Sequence, residues 1–193
     1  MLGQLAWRAQ TPYELAKAME RNLRFFWPRA ASHVYRQVKR LERDGFANAE
    51  RGATGRRPRT VYAITPRGRE ALRGWLAGEA GGIELEHEPL LRVFLCASGT
   101  PDDALRAIGA ARARAEAMLA IGRPLAHEYI EGRHPFQDQV HVRALSFDYL
   151  YRWAELTIDW ADRAAREVSG WRDTGPSTAK HRRALARLKE LLG

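Results

Sequence analysis

The chain has 193 residues, of which 45% are hydrophobic and 28% charged, and its only cysteine is Cys96. This length fits one large or two small domains, and a single cysteine excludes an intramolecular disulfide and fits a reducing compartment. No apolar run reaches about 18 residues and no signal-peptide pattern opens the chain, so we expect a soluble, cytoplasmic protein.

The net charge of +9 lies entirely in the first part of the chain. Residues 1–82 carry 16 Lys and Arg against 7 Asp and Glu, whereas residues 83–193 carry 16 of each. This asymmetry predicts a basic module that binds an anion, joined to a neutral module with a different task. The alternative is a set of arginine-rich surfaces that are merely solvated.

Two helices are predicted before residue 30. Leu2, Leu5 and Ala6 form a helix-period apolar stripe that starts directly after Met1. Thr11 and Glu14 enclose Pro12 in a capping box, which predicts that a second helix begins at Pro12.

The segment "ASHVYRQVKRLERDG", residues 31–45, predicts a third helix with two unlike faces. Val34, Val38 and Leu41 fall on one narrow face, and Gly45 is placed to end the helix in a left-handed conformation. The opposite face carries a hydroxyl and three cations, namely Ser32, Arg36, Lys39 and Arg43. A nucleic-acid-reading helix and a solvated surface helix would both show this pattern.

A hairpin is predicted from two short extended segments, "FANAER" (residues 46–51) and "TVYAIT" (residues 60–65), joined by a glycine- and arginine-rich connection. Pro58 predicts that strand pairing has not begun at that position. Thr65 and Pro66 then start a fourth helix, for which we expect a buried stripe of Leu72, Trp75 and Leu76. Three helices, a hairpin and a helix are the order of a winged helix-turn-helix, in which a helix enters the DNA major groove and the hairpin lies along the backbone.

The residues themselves closely resemble the N-terminal domain of PadR-like transcriptional regulators. The resemblance rests on "FFWPRAASHVYRQVKRLERDGFANAE" and "GRRPRTVYAITPRGREALRGWLA" and covers residues 2–97. It implies a mainly α protein with a small β-hairpin, in which a winged helix-turn-helix precedes a helical dimerisation domain. It further implies a sequence-specific repressor that binds a pseudo-palindromic operator as a homodimer. Ala30 departs from the family pattern, because a serine often caps the recognition helix there.

Carried over to this sequence, the resemblance implies a double-stranded DNA contact made by Ser32, His33, Tyr35, Arg36, Lys39, Arg40, Arg56, Arg57 and Arg59. Arg36 is the best candidate for a bidentate guanine contact. Lys39, Tyr35 and the hairpin arginines are better suited to hold phosphates.

A boundary to a second module is expected near residue 82, within the glycine-rich connector "GEAGGIELEHE". Thr100 and Pro101 predict the start of one long helix, and another is expected from about Asp138 to Ser169. The last carries a stripe of Val142, Tyr149, Trp153, Leu156 and Trp160. The PadR resemblance implies that these helices form a homodimer, and the alternative is that the stripe packs in an intramolecular core. A third hypothesis is that Trp153 or Trp160 holds a small aromatic effector.

The three predicted parts are therefore a DNA-binding domain over residues 1–82, a helical dimerisation and effector domain over 83–170, and a basic tail over 171–193. In the tail, Leu185, Leu188 and Leu192 fall at helical spacing among cations. We expect a short amphipathic helix whose leucines complete a core, with nonspecific DNA binding as the alternative.

No catalytic or cofactor motif is found, so we expect neither an enzyme nor a metal site. His127, His134 and His141 recur every seven residues, but Gly132 and Pro135 predict a loop there and the spacing matches no compact zinc-ligand set. The other functional hypothesis is a winged-helix module that docks on an acidic protein or a structured RNA. Because the basic module lacks exposed aromatic platforms for unpaired bases, duplex DNA is favoured.

Overall fold

The computed structural model describes residues 1–28, 30–54, 57–82 and 85–193, with the backbone alone at 54 and 57. It divides into two compact units, residues 1–83 and 84–193. The first unit contains α1 (Leu2–Trp7), α2 (Pro12–Leu23), α3 (Ala31–Arg43), β1 (Ala47–Thr54), β2 (Arg57–Ile64) and α4 (Pro66–Ala77). This is the predicted order of a winged helix-turn-helix.

The ends of α2 and α3 follow local rules. The Thr11 hydroxyl accepts from the Glu14 backbone at 3.2 Å while the Glu14 carboxylate accepts from the Thr11 backbone at 2.8 Å, which confirms the capping box. Gly45 has φ +77°, and the Phe46 backbone donates to Leu41 O at 2.8 Å. This is the glycine-terminated helix end expected from the sequence, and it turns the chain directly into β1.

The core of the first unit joins the helices to the hairpin. Leu5, Leu15, Val34, Val38 and Tyr62 are buried together, so α1, α2, α3 and β2 each contribute to one cluster. Burying each of these side chains stabilises the unit by about 1.5–3 kcal/mol relative to leaving it exposed. The apolar face of α3 is therefore held against the unit, which leaves its polar face outward.

The hairpin pairs over its whole described length, from Ala47 with Ile64 to Thr54 with Arg57. Pro58 pairs with Ala53, so the prediction that pairing begins only after Pro58 is wrong. A strand of a two-stranded sheet has a free edge, and a proline without an N–H is tolerated there. Tyr62 also exchanges both backbone hydrogen bonds with Gln10, at 2.8 and 2.9 Å, which ties β2 to the chain between α1 and α2.

The predicted buried stripe of α4 is only partly formed. Thr65 caps this helix through a 3.0 Å bond from the Gly68 backbone, as expected. Trp75 and Leu76, however, are 74% and 67% exposed, so their predicted burial is wrong. The first turn of α4 packs closely under Phe46, and α4 also contacts α1, whereas Trp75 and Leu76 in its last turn stay exposed.

The second unit consists of α5 (Glu88–Phe94), α6 (Pro101–Ile130), α7 (Val140–Ser169) and α8 (Thr178–Leu192), with 3-10 turns at Cys96–Ser98 and Gln137–Gln139. Early residues of α6, Ala104 and Ile108, pack against late residues of α7, Ala161 and Val168. This reversed order makes the two helices an antiparallel pair, further joined by an Arg112–Asp162 ion pair at 3.0 Å.

The basic tail forms α8, as predicted, and polar contacts attach its first turns to the rest of the unit. Lys180 Nζ donates to the carbonyls of Asp173 and Gly175, both at 2.7 Å, and Arg183 pairs with Glu167 at 2.9 Å. The leucines of α8 stay at least 45% exposed, so the expectation that they complete a core within this chain is wrong. Among the described helices, none is long and apolar enough to cross a membrane.

Candidate nucleic-acid interface

Helix α3 presents a polar surface opposite its buried valines. Ser32, Tyr35, Arg36, Lys39 and Arg40 are exposed, and His33 is half-buried beside them. Ala30 precedes the helix and makes no side-chain cap bond, consistent with the departure noted in the sequence. Arg36 and Lys39 border an open groove of about 510 Å³ along this face, whose other lining residues are His33, Gln37, Arg40 and Arg43.

The cations of α3 differ in whether an acid of the same chain neutralises them. Arg40 and Arg43 both pair with Asp44, at 3.4 and 3.1 Å. Their hydrogen bonds and charges, those of Arg43 first, lower the pKa of the Asp44 carboxyl. Within the described residues, Arg36 and Lys39 have no such ion pair, so their charge is available to an external anion.

The hairpin arginines are placed less uniformly than the sequence predicted. Arg59 lies 3.5 Å from the Glu14 carboxylate, so this predicted DNA contact is also an ion pair with α2. Arg51 pairs with Glu42 at 2.6 Å. Arg56 lies outside the described residues, and for Arg57 the structure describes only its backbone pairing with Thr54.

Sequence reasoning missed the two acids that hold these arginines, Glu14 and Glu42. Glu14 was noticed only as a helix cap, although its carboxylate contacts both Thr11 and Arg59. Its pKa is lowered, first by the Thr11 backbone hydrogen bond. The presence of these acids among so many cations could have predicted ion pairs. It could not have identified the partners, because Arg59 and Arg51 lie 45 and 9 residues further along the chain.

In the second unit, the predicted dimer or effector residues do not share one environment. Tyr149 and Leu156 are 60% and 62% exposed on α7. Trp160 instead packs against the core between α6 and α7, which agrees with the alternative of an intramolecular role, and Trp153 is half-buried. The exposed stripe of α7 is extended by Val142 and Leu145.

The three histidines are not arranged as a metal site. His127 lies inside α6, which continues through Pro124 to Ile130, so its predicted place in a loop is wrong. His134 is buried and stacks on Tyr129 with ring centroids 3.8 Å apart. Among the described residues there is no group of three His, Cys, Asp or Glu that could hold a metal ion.

Comparison with known proteins gives matches along most of the chain. Residues 1–74 match the family described as "Transcriptional regulator PadR-like family", and residues 86–169 match "Virulence activator alpha C-term". A probable transcriptional regulator of Mycobacterium tuberculosis is 32% identical over 78 residues, a match that spans 40% of this chain and only 41% of that relative.

Solved structures share the fold. The crystal structure of Bacillus subtilis PadR in complex with operator DNA superposes with a TM-score of 0.74 at 18% identity, covering 86% of this chain and 96% of that one. The same protein in complex with p-coumaric acid gives a TM-score of 0.67 at 18% identity, covering 87% and 95%. These neighbours confirm the predicted fold class, a mainly α protein with a two-stranded hairpin and a C-terminal helical region.

Proposed function

Because this chain belongs to the PadR-like family of transcriptional regulators, we propose that it binds duplex DNA with α3 in the major groove and the hairpin along the backbone. The observation that carries the proposal is the pair of cations, Arg36 and Lys39, which lie one turn apart on an exposed helix face without an internal partner among the described residues. The same family supports the prediction that the chain is not an enzyme.

The two cations have different proposed tasks. Arg36 reads a base, because its planar guanidinium can donate two hydrogen bonds to the O6 and N7 of a guanine. Lys39 holds a phosphate, together with Ser32 and Tyr35, and sets the position of α3 on the duplex. The operator complex of Bacillus subtilis PadR supports duplex DNA as the partner over an acidic protein or a structured RNA.

We infer further that the protein acts in the cytoplasm as a homodimeric repressor on a pseudo-palindromic operator. The support for a dimer is the apolar stripe of α7, where Leu145, Tyr149 and Leu156 remain exposed in the single chain. A second copy would cover this stripe and place two winged domains on two half-sites. The basic tail over 171–193 stays outside both family matches, and we assign it no DNA contact.

A small aromatic effector is proposed to act on the second unit, as supported by the p-coumaric acid complex of Bacillus subtilis PadR. Of the two tryptophans predicted to hold it, Trp153 is the better choice, because Trp160 already packs in the core. Such a ligand would release DNA only if it bound one arrangement of the two winged domains more tightly than the other.

The first experiment is selection of duplexes from a randomised library by the full-length protein, followed by footprinting at two salt concentrations. We expect a protected, two-fold symmetric site. If the dimer neutralises about eight phosphates, affinity should fall by at least about three orders of magnitude between 50 and 200 mM salt. Salt-sensitive binding without any enriched sequence would contradict the proposal and favour the acidic-protein or RNA alternative.

Two variants separate sequence reading from general electrostatics. Arg36→Ala should lose affinity for the selected duplex more than for a scrambled one. Arg114→Ala removes the same charge from an exposed position on α6 in the second unit and serves as the control. Equal effects of the two substitutions would contradict the assignment of α3 as the recognition helix.

A further inference from the structure

Glu42 is an acid on a surface that should attract DNA. It lies near the end of α3 and, at about 100° per residue, only about 60° around the helix from Lys39. A carboxylate in that place repels phosphates and lowers the net charge of the interface. By charge alone, Glu42 should weaken the binding that α3 provides.

The contacts of Glu42 give it another task, because its carboxylate ties α3 to the hairpin. On β1, Arg51 Nη2 lies 2.6 Å from Glu42 Oε1. On β2, the Tyr62 hydroxyl lies near enough to Glu42 for the carboxylate to raise its pKa. Burial is the first cause of this rise in the pKa of Tyr62, and the charge of Glu42 is the second.

The environment makes this contact a connection between two DNA-binding elements. Glu42 is only 27% exposed at its side chain, and Tyr62 is 4% exposed. Arg51 pairs across the hairpin with Thr60, two residues from Tyr62, so Glu42 contacts one short section of the sheet. The carboxylate thereby links α3 to the hairpin at a point beyond the turn at Gly45 that joins them covalently.

We propose that Glu42 is a positioning residue for DNA binding, which holds the hairpin at a fixed angle to α3 so that both elements meet the duplex together. This inference rests on the proposed function. A hairpin that is already oriented loses less conformational freedom on binding, and this gain offsets the repulsion between the carboxylate and the phosphates. Removal of the Glu42 charge should therefore weaken DNA binding, whereas electrostatics alone would predict tighter binding.

The test compares Glu42→Gln with Glu50→Gln on the duplex selected from the randomised library. Both substitutions remove one negative charge from the same part of the first unit, and Glu50 is exposed on β1. We expect Glu50→Gln to bind equally or up to about two-fold more tightly. Glu42→Gln should bind the selected duplex about three-fold more weakly than the wild type. The loss is small because an exposed ion pair contributes only about 0.2–1 kcal/mol.

Three further measurements separate positioning from loss of fold. The Glu42→Gln footprint should lose protection at the flanks, where the hairpin lies, and keep it in the central major groove. Its salt dependence should be shallower than that of the wild type, because the phosphate contacts of the hairpin are lost together with the flanking protection. In an Arg51→Met background, Glu42→Gln should cause no further loss, since the partner is already absent.

Glu42→Gln binding that is as tight as that of Glu50→Gln would overturn the inference and leave Glu42 as a simple repulsive charge. Equal loss of flanking and central protection would also overturn it, because that result indicates a general structural role. If the wild-type protein protects no site at all, the proposed function fails first and this inference fails with it. A failure confined to the variants leaves the proposed function intact.

Discussion

Gly68 lies where the fourth helix of the winged domain passes under the turn that follows α3. A Cβ at this position would lie 2.1 Å from Phe46 O and 2.8 Å from Ile64 Cγ1. The nearer neighbour, Phe46 O, belongs to the backbone, so it cannot rotate away as the end of a flexible side chain could. We therefore predict that Gly68→Ala destabilises the first unit.

The size of the effect follows from the bonds around the clash. Relieving it requires a separation of about 1 Å, since ordinary C···O contacts are about 3.3 Å. That movement breaks the Thr65 N–Phe46 O bond of 3.1 Å and the Thr65 Oγ1–Gly45 O bond of 2.8 Å. Two lost hydrogen bonds cost about 1–3 kcal/mol and overpacking about 1–3 kcal/mol more, against a gain of about 1 kcal/mol in helix propensity. The net prediction is a loss of about 3 kcal/mol.

The control is Gly74→Ala in the same helix, where an added Cβ meets nothing within 4 Å. This variant isolates the propensity gain and should stabilise the unit by about 0.5–1 kcal/mol. Hydrogen exchange of the full-length protein, read by mass spectrometry on separate peptides, measures both effects. Gly68→Ala should increase exchange in the hairpin and α4, with the α6–α7 pair unchanged. Protection equal to that of Gly74→Ala would refute the steric argument.

Three further predictions concern charge, reading and assembly. Ionised Glu14 stabilises the first unit above its ordinary pKa of 4.5, and this contribution is lost as pH falls through the lowered pKa of the folded state. In urea unfolding, the free energy of unfolding of Glu14→Gln should therefore fall less on acidification than that of the wild type, and an equal fall would contradict the prediction. In binding titrations, Arg36→Ala should lose about 1–3 kcal/mol of binding free energy at one base position, whereas Lys39→Ala should weaken binding to all duplexes alike and lower the salt slope by about 1. An equal loss of specificity in the two variants would contradict these roles. Leu156→Glu places a charge in the exposed α7 stripe, so the proposed dimer should dissociate and sedimentation should give the mass of a monomer. A variant that remains dimeric would exclude this stripe as the interface.

Local chemistry made much of the fold predictable. Thr11, Thr65 and Thr100 each start a helix through a bond to a backbone three residues away, and Gly45 ends α3 through its own φ. Such features depend on a few neighbouring residues, so their pattern in the sequence is sufficient. The polar face of α3 was predictable for the same reason, because its valines repeat at helical spacing.

The candidate interface was predictable only in its residue types. That Arg36 and Lys39 would be exposed follows from the α3 pattern, but the ion pairs of Arg51 and Arg59 do not. Glu42 and Glu14 come from other elements, and only packing brings them to the hairpin. The sequence also could not distinguish a cation without an ion pair in the described structure from one already paired within the chain.

By itself, the sequence determined where the capped helices begin, where α3 ends, which face of α3 is apolar, and that the excess positive charge belongs to the winged domain. The tertiary structure decided which apolar faces are covered, leaving Trp75 and Leu76 exposed and Trp160 partly buried. It also decided which cations are neutralised, through pairs such as Glu42 with Arg51. The physical reason is range: capping and periodicity act within one or two turns of chain, whereas burial and ion pairing depend on segments that meet only in the folded protein.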